Sequence, residues 1–198
     1  MSFRALPARA LAAAGVVLAT LVSPALQAAP PLPALNIDVN QTSVSGISSG
    51  GFMSVQFQVA HSSIVAGAGV VAGGPYACAQ GDTTRAVSQC SCTGKPFVAC
   101  QVTDHSADVP TLTDKVKTLA AQGAIDAPSH LARQRIVTVS GAKDTLVPPA
   151  IAQQLDAFYA ALGVPAAQIS PVSLPNAAHT MPTSSYGIAC GKEDAPYI

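Results

Sequence analysis

Hydrophobic and polar positions repeat along this chain with two periods, one typical of strands and one typical of helices. Short apolar runs bounded by glycine or proline predict strands, and apolar residues three or four positions apart predict helices. The two signals follow one another in turn, which predicts an α/β layer sandwich with a mostly parallel sheet. The predicted elements are strand 37–44, helix 52–61, strand 64–72, helix 111–122, strand 135–140, helix 148–162 and strand 169–174.

The segment between the first predicted strand and the first predicted helix is rich in glycine and serine. It reads Gly46-Ile47-Ser48-Ser49-Gly50, and Gly-x-Ser-x-Gly between a strand and a helix is typical of a nucleophile elbow. Of the two adjacent serines, Ser48 has a glycine two positions away on both sides, so it is the candidate nucleophile. The backbone N–H of Ser49 is then a candidate oxyanion donor. A plain glycine–serine turn is the alternative interpretation.

The helix predicted after this turn carries several apolar side chains. Phe52, Val55, Phe57 and Val59 fall near apolar neighbours. Aromatic residues in such a pattern are more often core than substrate-binding. We therefore expect both phenylalanines to pack in the core.

The N-terminus has the pattern of a secretory signal peptide. Arg4 and Arg9 form a basic region, the apolar run 10–22 follows, and a proline and small residues come next. About thirteen apolar residues are too few to span a bilayer. We therefore predict a signal peptide at 1–28 and one folded domain at 29–198, in a protein that is exported and not held in a membrane.

Composition excludes some classes of partner. The chain has 198 residues, 49% of them hydrophobic and 10% charged, which suits one compact domain. Its ten basic and ten acidic residues balance, and removing Arg4 and Arg9 leaves a slight acidic excess. Because no basic patch remains, a nucleic-acid partner is not expected.

Five cysteines agree with an exported protein. One of them, Cys190, stands alone near the end of the chain, and four lie in the polar loop 76–109. A zinc site could use the four clustered cysteines, but their Cys-x-Cys spacing in an exported chain favours two disulfides. The pairing stays open. The clustered residues are Cys78, Cys90, Cys92 and Cys100.

A carboxylate and an imidazole follow the last two predicted strands. Asp144 comes shortly after strand 135–140, and His179 comes shortly after strand 169–174. Carboxyl ends of parallel strands meet at one edge of a sheet, where chemistry is usually located. A serine nucleophile needs an imidazole to take its proton and a carboxylate to orient that imidazole. The chain order Ser48, Asp144, His179 therefore predicts a catalytic triad.

Each member of this predicted triad also has a simpler interpretation. Asp144 could cap a helix, and His179 could be an ordinary loop histidine. The other histidines are weaker candidates, because His61 ends the elbow helix and His105 and His130 precede the aspartate in the chain.

Several segments together resemble the catalytic domain of polyhydroxybutyrate depolymerases, in the subgroup whose lipase box lies near the mature N-terminus. The resemblance extends from about residue 42 to the end of the chain. It implies a three-layer α/β-hydrolase-like sandwich that is circularly permuted. The segments that carry it are 45–53, 73–78, 141–144 and 178–183.

The resemblance implies a secreted serine esterase that cleaves ester bonds of poly(3-hydroxybutyrate) or its oligomers. It supports Ser48 as nucleophile, Asp144 as orienting acid and His179 as general base, with no metal or organic cofactor. The substrate partner would be a polyester or oligoester. Two alternatives remain: a carbohydrate esterase of the feruloyl or acetyl-xylan type, and an inactive remnant or binding domain.

The C-terminal part of the chain departs from the family pattern. Only nineteen residues follow His179, whereas the permuted fold takes further strands and the second oxyanion donor from sequence after the histidine. We therefore expect an incomplete sheet with the elbow strand at its edge, Cys190 without an obvious partner, and a chain that is the N-terminal portion of a longer protein. A minimal natural enzyme is the alternative.

Overall fold

The structure is a computed structural model that describes residues 31 and 33–193. The signal peptide predicted at 1–28 lies outside the described residues. From Ile37 onward the chain forms one compact unit. Its strands are β1 (Thr42–Ile47), β2 (Val65–Val71), β3 (Arg135–Gly141) and β4 (Ile169–Leu174). Its helices are α1 (Ser49–Ala60), α2 (Thr83–Ser88), α3 (Val109–Ala121) and α4 (Pro149–Ala161).

The four described strands form one sheet in the order β1-β2-β3-β4, and every neighbouring pair is parallel. Ile47 lies beside Val71 at the carboxyl ends of β1 and β2, and Gly141 lies beside Leu174 at those of β3 and β4. This arrangement confirms the predicted α/β class with a parallel sheet. Among the described strands, β1 is at an edge, as expected.

The long helices pack on one face of this sheet. Along the chain, each strand lies next to the preceding one and always on the same side of it. Right-handed crossovers therefore place every connecting helix on the same face of the sheet. The described residues thus supply two of the three expected layers. Buried side chains from α1, α3, α4 and the inward face of β2 and β3 form the core: Val55, Val59, Leu112, Val116, Leu155, Phe158, Val70 and Ile136.

A chain of buried hydrogen bonds fixes α1 against α4. The Tyr159 hydroxyl donates to Gln58 Oε1 at 2.6 Å, and Gln58 Nε2 donates to Gln134 Oε1 at 2.8 Å. Gln134 Nε2 donates to the Ser62 carbonyl oxygen at 3.0 Å. Because the buried amides and the hydroxyl bond to one another, they can lie in the core without the penalty of unpaired polar groups.

Two details of the predicted elements are wrong. The first strand begins at Thr42 rather than near 37, because Asp38 caps a 3-10 turn at Val39–Gln41 by accepting from the Asn40 N–H at 3.0 Å. Phe57 is 38% exposed and contacts His61 with tilted rings whose centroids are 4.7 Å apart. It lies beside the buried stripe of α1, which follows helical spacing through 51, 54–55 and 58–59.

The cysteine loop is held by two disulfides, Cys78–Cys90 and Cys92–Cys100, which confirms the predicted number of bridges. Short helix α2 lies within this loop and was not predicted. Cys190 forms no disulfide with any described residue. None of the helices in the described part is both long and apolar enough to cross a bilayer.

Candidate active site

Ser48 lies at the sharp turn between β1 and α1. Its backbone has φ 56° and ψ −123°, a strained conformation that non-glycine residues rarely adopt and that concentrates at functional sites. The Ser48 N–H donates to the Val71 carbonyl oxygen at 2.9 Å, and its own carbonyl oxygen accepts from Phe52 N–H at 2.9 Å. The turn is therefore tied to β2 on one side and to the first turn of α1 on the other.

Glycines allow the helix to start so close to the strands. A Cβ at Gly46 would lie 2.5 Å from the Gly50 carbonyl oxygen, and one at Gly51 would lie 2.8 Å from the Val71 carbonyl oxygen. A Cβ at Gly50 would meet nothing within 4 Å. Close packing thus requires Gly46 and Gly51, whereas the second glycine of the sequence motif, Gly50, has room for a side chain.

Ser49 is the first residue of α1. N–H groups in the first turn of a helix have no partner within the helix, and they carry the positive end of the helix dipole. The Ser49 N–H therefore has the local setting that an oxyanion donor requires.

The Asp144 carboxylate is buried and takes part in three hydrogen bonds. It follows β3, and its side chain has no exposed surface. Its Oδ1 accepts hydrogen bonds from Leu146 N–H at 2.9 Å and Val147 N–H at 2.7 Å, and its Oδ2 lies 2.8 Å from His179 Nδ1. The cap position of α4 is Pro148, so Asp144 orders the preceding turn rather than capping that helix.

His179 lies in the loop after β4 with 13% of its side chain exposed. Its backbone N–H donates to Glu193 Oε1 at 2.9 Å. A Cβ at Gly141 would lie 2.6 Å from the Ala178 carbonyl oxygen, so this glycine lets the histidine loop cross the end of β3. The hydrogen bond to Asp144 raises the pKa of His179, and the negative charges of Asp144 and Glu193 act in the same direction.

The structure therefore brings Asp144 and His179 into contact and places Ser48, like them, at the carboxyl ends of the strands. Ser48 follows β1, whereas the aspartate follows β3, two strands away. No hydrogen bond joins the Ser48 side chain to His179 within the described ranges. In resting hydrolases this bond is often long and tightens when substrate binds.

A cavity of about 530 Å³ opens beside Ser48. Its walls come from the first turns of α1, the disulfide-bonded loop and α3, and they include Phe52, Met53 and Lys115. Sequence reasoning missed these residues. For Phe52 and Met53 a signal existed, because residues four and five positions after a nucleophile lie where the first turn of its helix meets the second. Nothing in the sequence marks Lys115.

Among the residues described here, no group of three or more histidine, cysteine or acidic side chains is arranged to hold a metal ion. The four clustered cysteines are paired with one another. The groups that the described site offers are the Ser48 hydroxyl, the His179 imidazole, the Asp144 carboxylate and the Ser49 backbone N–H.

The described sheet is parallel, its first strand leads into a strained serine turn, and an aspartate–histidine pair follows later strands. This is the architecture of the α/β-hydrolases, and the chain belongs to that class. Within it, the chain is a homologue of polyhydroxybutyrate depolymerases, which confirms the resemblance drawn from its motifs. It is 41% identical over 188 residues to poly(3-hydroxybutyrate) depolymerase of Delftia acidovorans. It is 34% identical over 175 residues to polyhydroxybutyrate depolymerase of Talaromyces funiculosus.

Solved structures give the same relationship. A PHB depolymerase complexed with an R3HB trimer superimposes with a TM-score of 0.70 at 33% identity, and PHB depolymerase from Penicillium funiculosum superimposes with a TM-score of 0.69 at 34% identity. Both matches cover 85% of this chain and 49% of the other.

The sequence matches cover 94% and 86% of this chain but 36% and 47% of the two relatives. The chain thus spans about half or less of the length of the relatives it matches. No protein-family model matches it.

Proposed function

We propose that this chain carries the catalytic triad of a secreted serine esterase that hydrolyses ester bonds of poly(3-hydroxybutyrate) or its oligomers. The observation that supports it most strongly is the contact between buried Asp144 and partly buried His179, 2.8 Å apart, at the carboxyl ends of the strands, where Ser48 occupies a strained turn. A buried carboxylate bonded to one imidazole nitrogen leaves the other nitrogen to act on a serine hydroxyl.

In the first half of the reaction, His179 Nε2 takes the proton of Ser48 while Ser48 Oγ attacks the ester carbonyl carbon. Asp144 holds the imidazole in the tautomer that carries hydrogen on Nδ1 and stabilises the imidazolium that forms. The negative charge on the carbonyl oxygen faces the Ser49 N–H at the start of α1. His179 then gives its proton to the leaving alcohol, and the C–O bond breaks.

In the second half, His179 removes a proton from a water molecule, and this water attacks the acyl-enzyme. The bond to Ser48 breaks, the proton returns to Ser48, and a carboxylic acid leaves. Each step uses side chains and backbone groups of this chain, and none calls on a metal or an organic cofactor.

The names of the relatives and the apolar cavity support a hydroxybutyrate ester as the substrate. One solved relative was complexed with an R3HB trimer. Around Ser48, side chains such as Phe52, Met53 and Val147 offer apolar contact for a methyl-substituted hydroxybutyrate unit. Two disulfides support export to an oxidising compartment.

Hydrolysis of p-nitrophenyl butyrate and of 3-hydroxybutyrate trimer by the oxidatively refolded chain tests this proposal. We expect Ser48→Ala to lose at least about 10³-fold in kcat, because the covalent route is closed. Ser45→Ala is the matched control, since it removes an exposed hydroxyl from the strand that leads into the same turn.

Equal activity of Ser48→Ala and the parent would overturn the assignment of the nucleophile, and no activity of either above the uncatalysed rate would favour an inactive domain. Activity on acetylated xylan with none on the hydroxybutyrate trimer would favour a carbohydrate esterase instead.

A further inference from the structure

The cavity beside Ser48 is largely apolar but contains one cationic side chain. Lys115, on α3, is the single charged residue among the described residues that line it. A volume of about 530 Å³ lies within the range of about 300–1,000 Å³ typical of small-molecule sites. In such sites a few polar groups on apolar walls fix the orientation of the ligand.

The acidic residue next to Lys115 does not neutralise it. Asp114 pairs with Lys117 across the exposed side of α3, with 3.5 Å between Asp114 Oδ1 and Lys117 Nζ. No hydrogen bond or ion pair joins the half-buried Lys115 side chain to any described residue. An ammonium group in this setting can bind an anionic ligand without first giving up a protein partner.

Two other polar side chains of the wall, Gln56 and Ser91, are already hydrogen-bonded within the protein. Gln56 Oε1 accepts from Ala77 N–H at 3.0 Å, and Gln56 Nε2 donates to the Phe52 carbonyl oxygen at 3.3 Å. The Ser91 hydroxyl donates to the Ala86 carbonyl oxygen at 2.8 Å. Lys115 is therefore the wall group best suited to recognise charge on a ligand.

We propose that Lys115 binds the terminal carboxylate of a short hydroxyacid oligoester while one of the ester bonds of that oligoester lies at Ser48. This inference rests on the proposed esterase function and adds a substrate preference: short oligomers that end in a free acid. Polymer chains and neutral esters would use the apolar walls without this contact.

The direction of the substrate follows from the chemistry. In a hydroxyacid oligoester the free carboxylate belongs to the part that leaves as the alcohol when the ester bond is cleaved. The cavity between Ser48 and Lys115 would therefore hold the leaving part. Ser48 Oγ bonds to the carbonyl carbon, the bond to the alkoxy oxygen breaks, and that oxygen takes the proton from His179. The first product is then a hydroxyacid that still carries its carboxylate at Lys115.

The test compares 3-hydroxybutyrate trimer as the free acid with its methyl ester, which has the same length and no charge. We expect Lys115→Met to raise KM for the free acid roughly tenfold, as the loss of a charge-assisted contact implies, with little change in kcat or in KM for the methyl ester. Lys115→Arg should restore most of the affinity. Lys117→Met, on the same helix and paired outside the cavity, should leave both substrates unaffected.

Binding of the two trimers to Ser48→Ala, measured by titration calorimetry, separates this inference from the proposed function. Suppose that the parent chain hydrolyses no ester, but that Ser48→Ala with Lys115→Met binds the free acid about tenfold more weakly than Ser48→Ala alone. The esterase proposal then fails and the carboxylate site stands. An equal effect on acid and methyl ester would overturn the carboxylate site, and so would no effect on either. Failure of Ser48→Ala to bind the free acid would overturn it as well.

Discussion

At the scale of single residues, two carboxylates raise the pKa of His179, and partial burial of the imidazole opposes them. Asp144 accepts from the ring and raises the pKa of His179 mainly through that hydrogen bond. Glu193 accepts from the backbone N–H of His179 and raises the same pKa through its charge. Since a general base must be neutral before it takes a proton, a raised pKa moves the acidic limb of the rate profile to higher pH.

Glu193→Gln should therefore move the acidic limb of kcat/KM for p-nitrophenyl butyrate to lower pH. The amide keeps an oxygen that can accept from the His179 N–H, so the substitution removes the charge and conserves the contact. With less negative charge nearby, His179 loses its proton at a lower pH and the fraction of active enzyme rises there. A pH profile between about 4 and 8, which spans the ordinary histidine pKa, measures the shift.

Lys192→Gln is the matched control for this shift. It neutralises a positive charge beside Glu193 and should not lower the His179 pKa. An acidic limb that stays in place in Glu193→Gln, or moves to higher pH, would contradict the electrostatic role of Glu193.

The candidate triad residues are recognisable from sequence, whereas the charged residues that lie around them are not. The spacing of glycines around Ser48 and the strand-end positions of Asp144 and His179 are local features of the chain. Glu193 and Lys115 approach the site from separate segments, so their positions depend on tertiary packing. A charged side chain in a polar stretch has the same sequence context whether it faces solvent or a ligand cavity.

At the scale of elements, the turn between β1 and α1 depends on which glycines permit close approach. Gly46→Ala would place a methyl group 2.5 Å from the carbonyl oxygen of Gly50, a backbone atom that cannot rotate away. We expect a loss of at least about 1–3 kcal/mol in the free energy of unfolding, as for other overpacked sites, and a large loss of esterase activity because Ser48 is displaced.

Gly50→Ala makes the matched comparison, because a methyl group there meets nothing within 4 Å. It should leave the free energy of unfolding unchanged or raise it by up to about 1 kcal/mol, since alanine restricts the unfolded chain more than glycine does. Thermal and urea unfolding of both variants measures the contrast. Similar destabilisation by the two substitutions would show that the strand and helix do not approach each other at Gly46.

The order of the strands and long helices was predictable because each carries its own hydrophobic period. Elements without such a period were missed. Helix α2 has six residues, and what starts it is Asp82, whose side chain accepts from Arg85 N–H at 3.1 Å. The start of β1 was placed too early because an apolar run does not reveal a capped 3-10 turn.

At the scale of the whole molecule, the described sheet is covered by helices on one face, and the apolar side chains of its other face remain accessible. Val71, Val139 and Val172 are aligned across three neighbouring strands by the register of the sheet. Val137 and Val172 are 41% and 39% exposed. The glycine-rich apolar run of β2 is typical of a strand buried on both faces, and the same run also occurs in a strand buried on one face.

This valine face should bind a hydrophobic dye such as anilinonaphthalene sulfonate while the chain is folded. Val137→Lys and Val172→Lys should each reduce the fluorescence of bound dye, because a charge interrupts the contiguous apolar surface. Both changes should alter the free energy of unfolding by no more than about 1 kcal/mol, the span of strand propensities. Phe97→Lys is the matched control, since Phe97 is 94% exposed but lies on the disulfide-bonded loop. If Phe97→Lys lowers the fluorescence and the valine variants do not, the dye binds at the loop and the valine face is covered in solution.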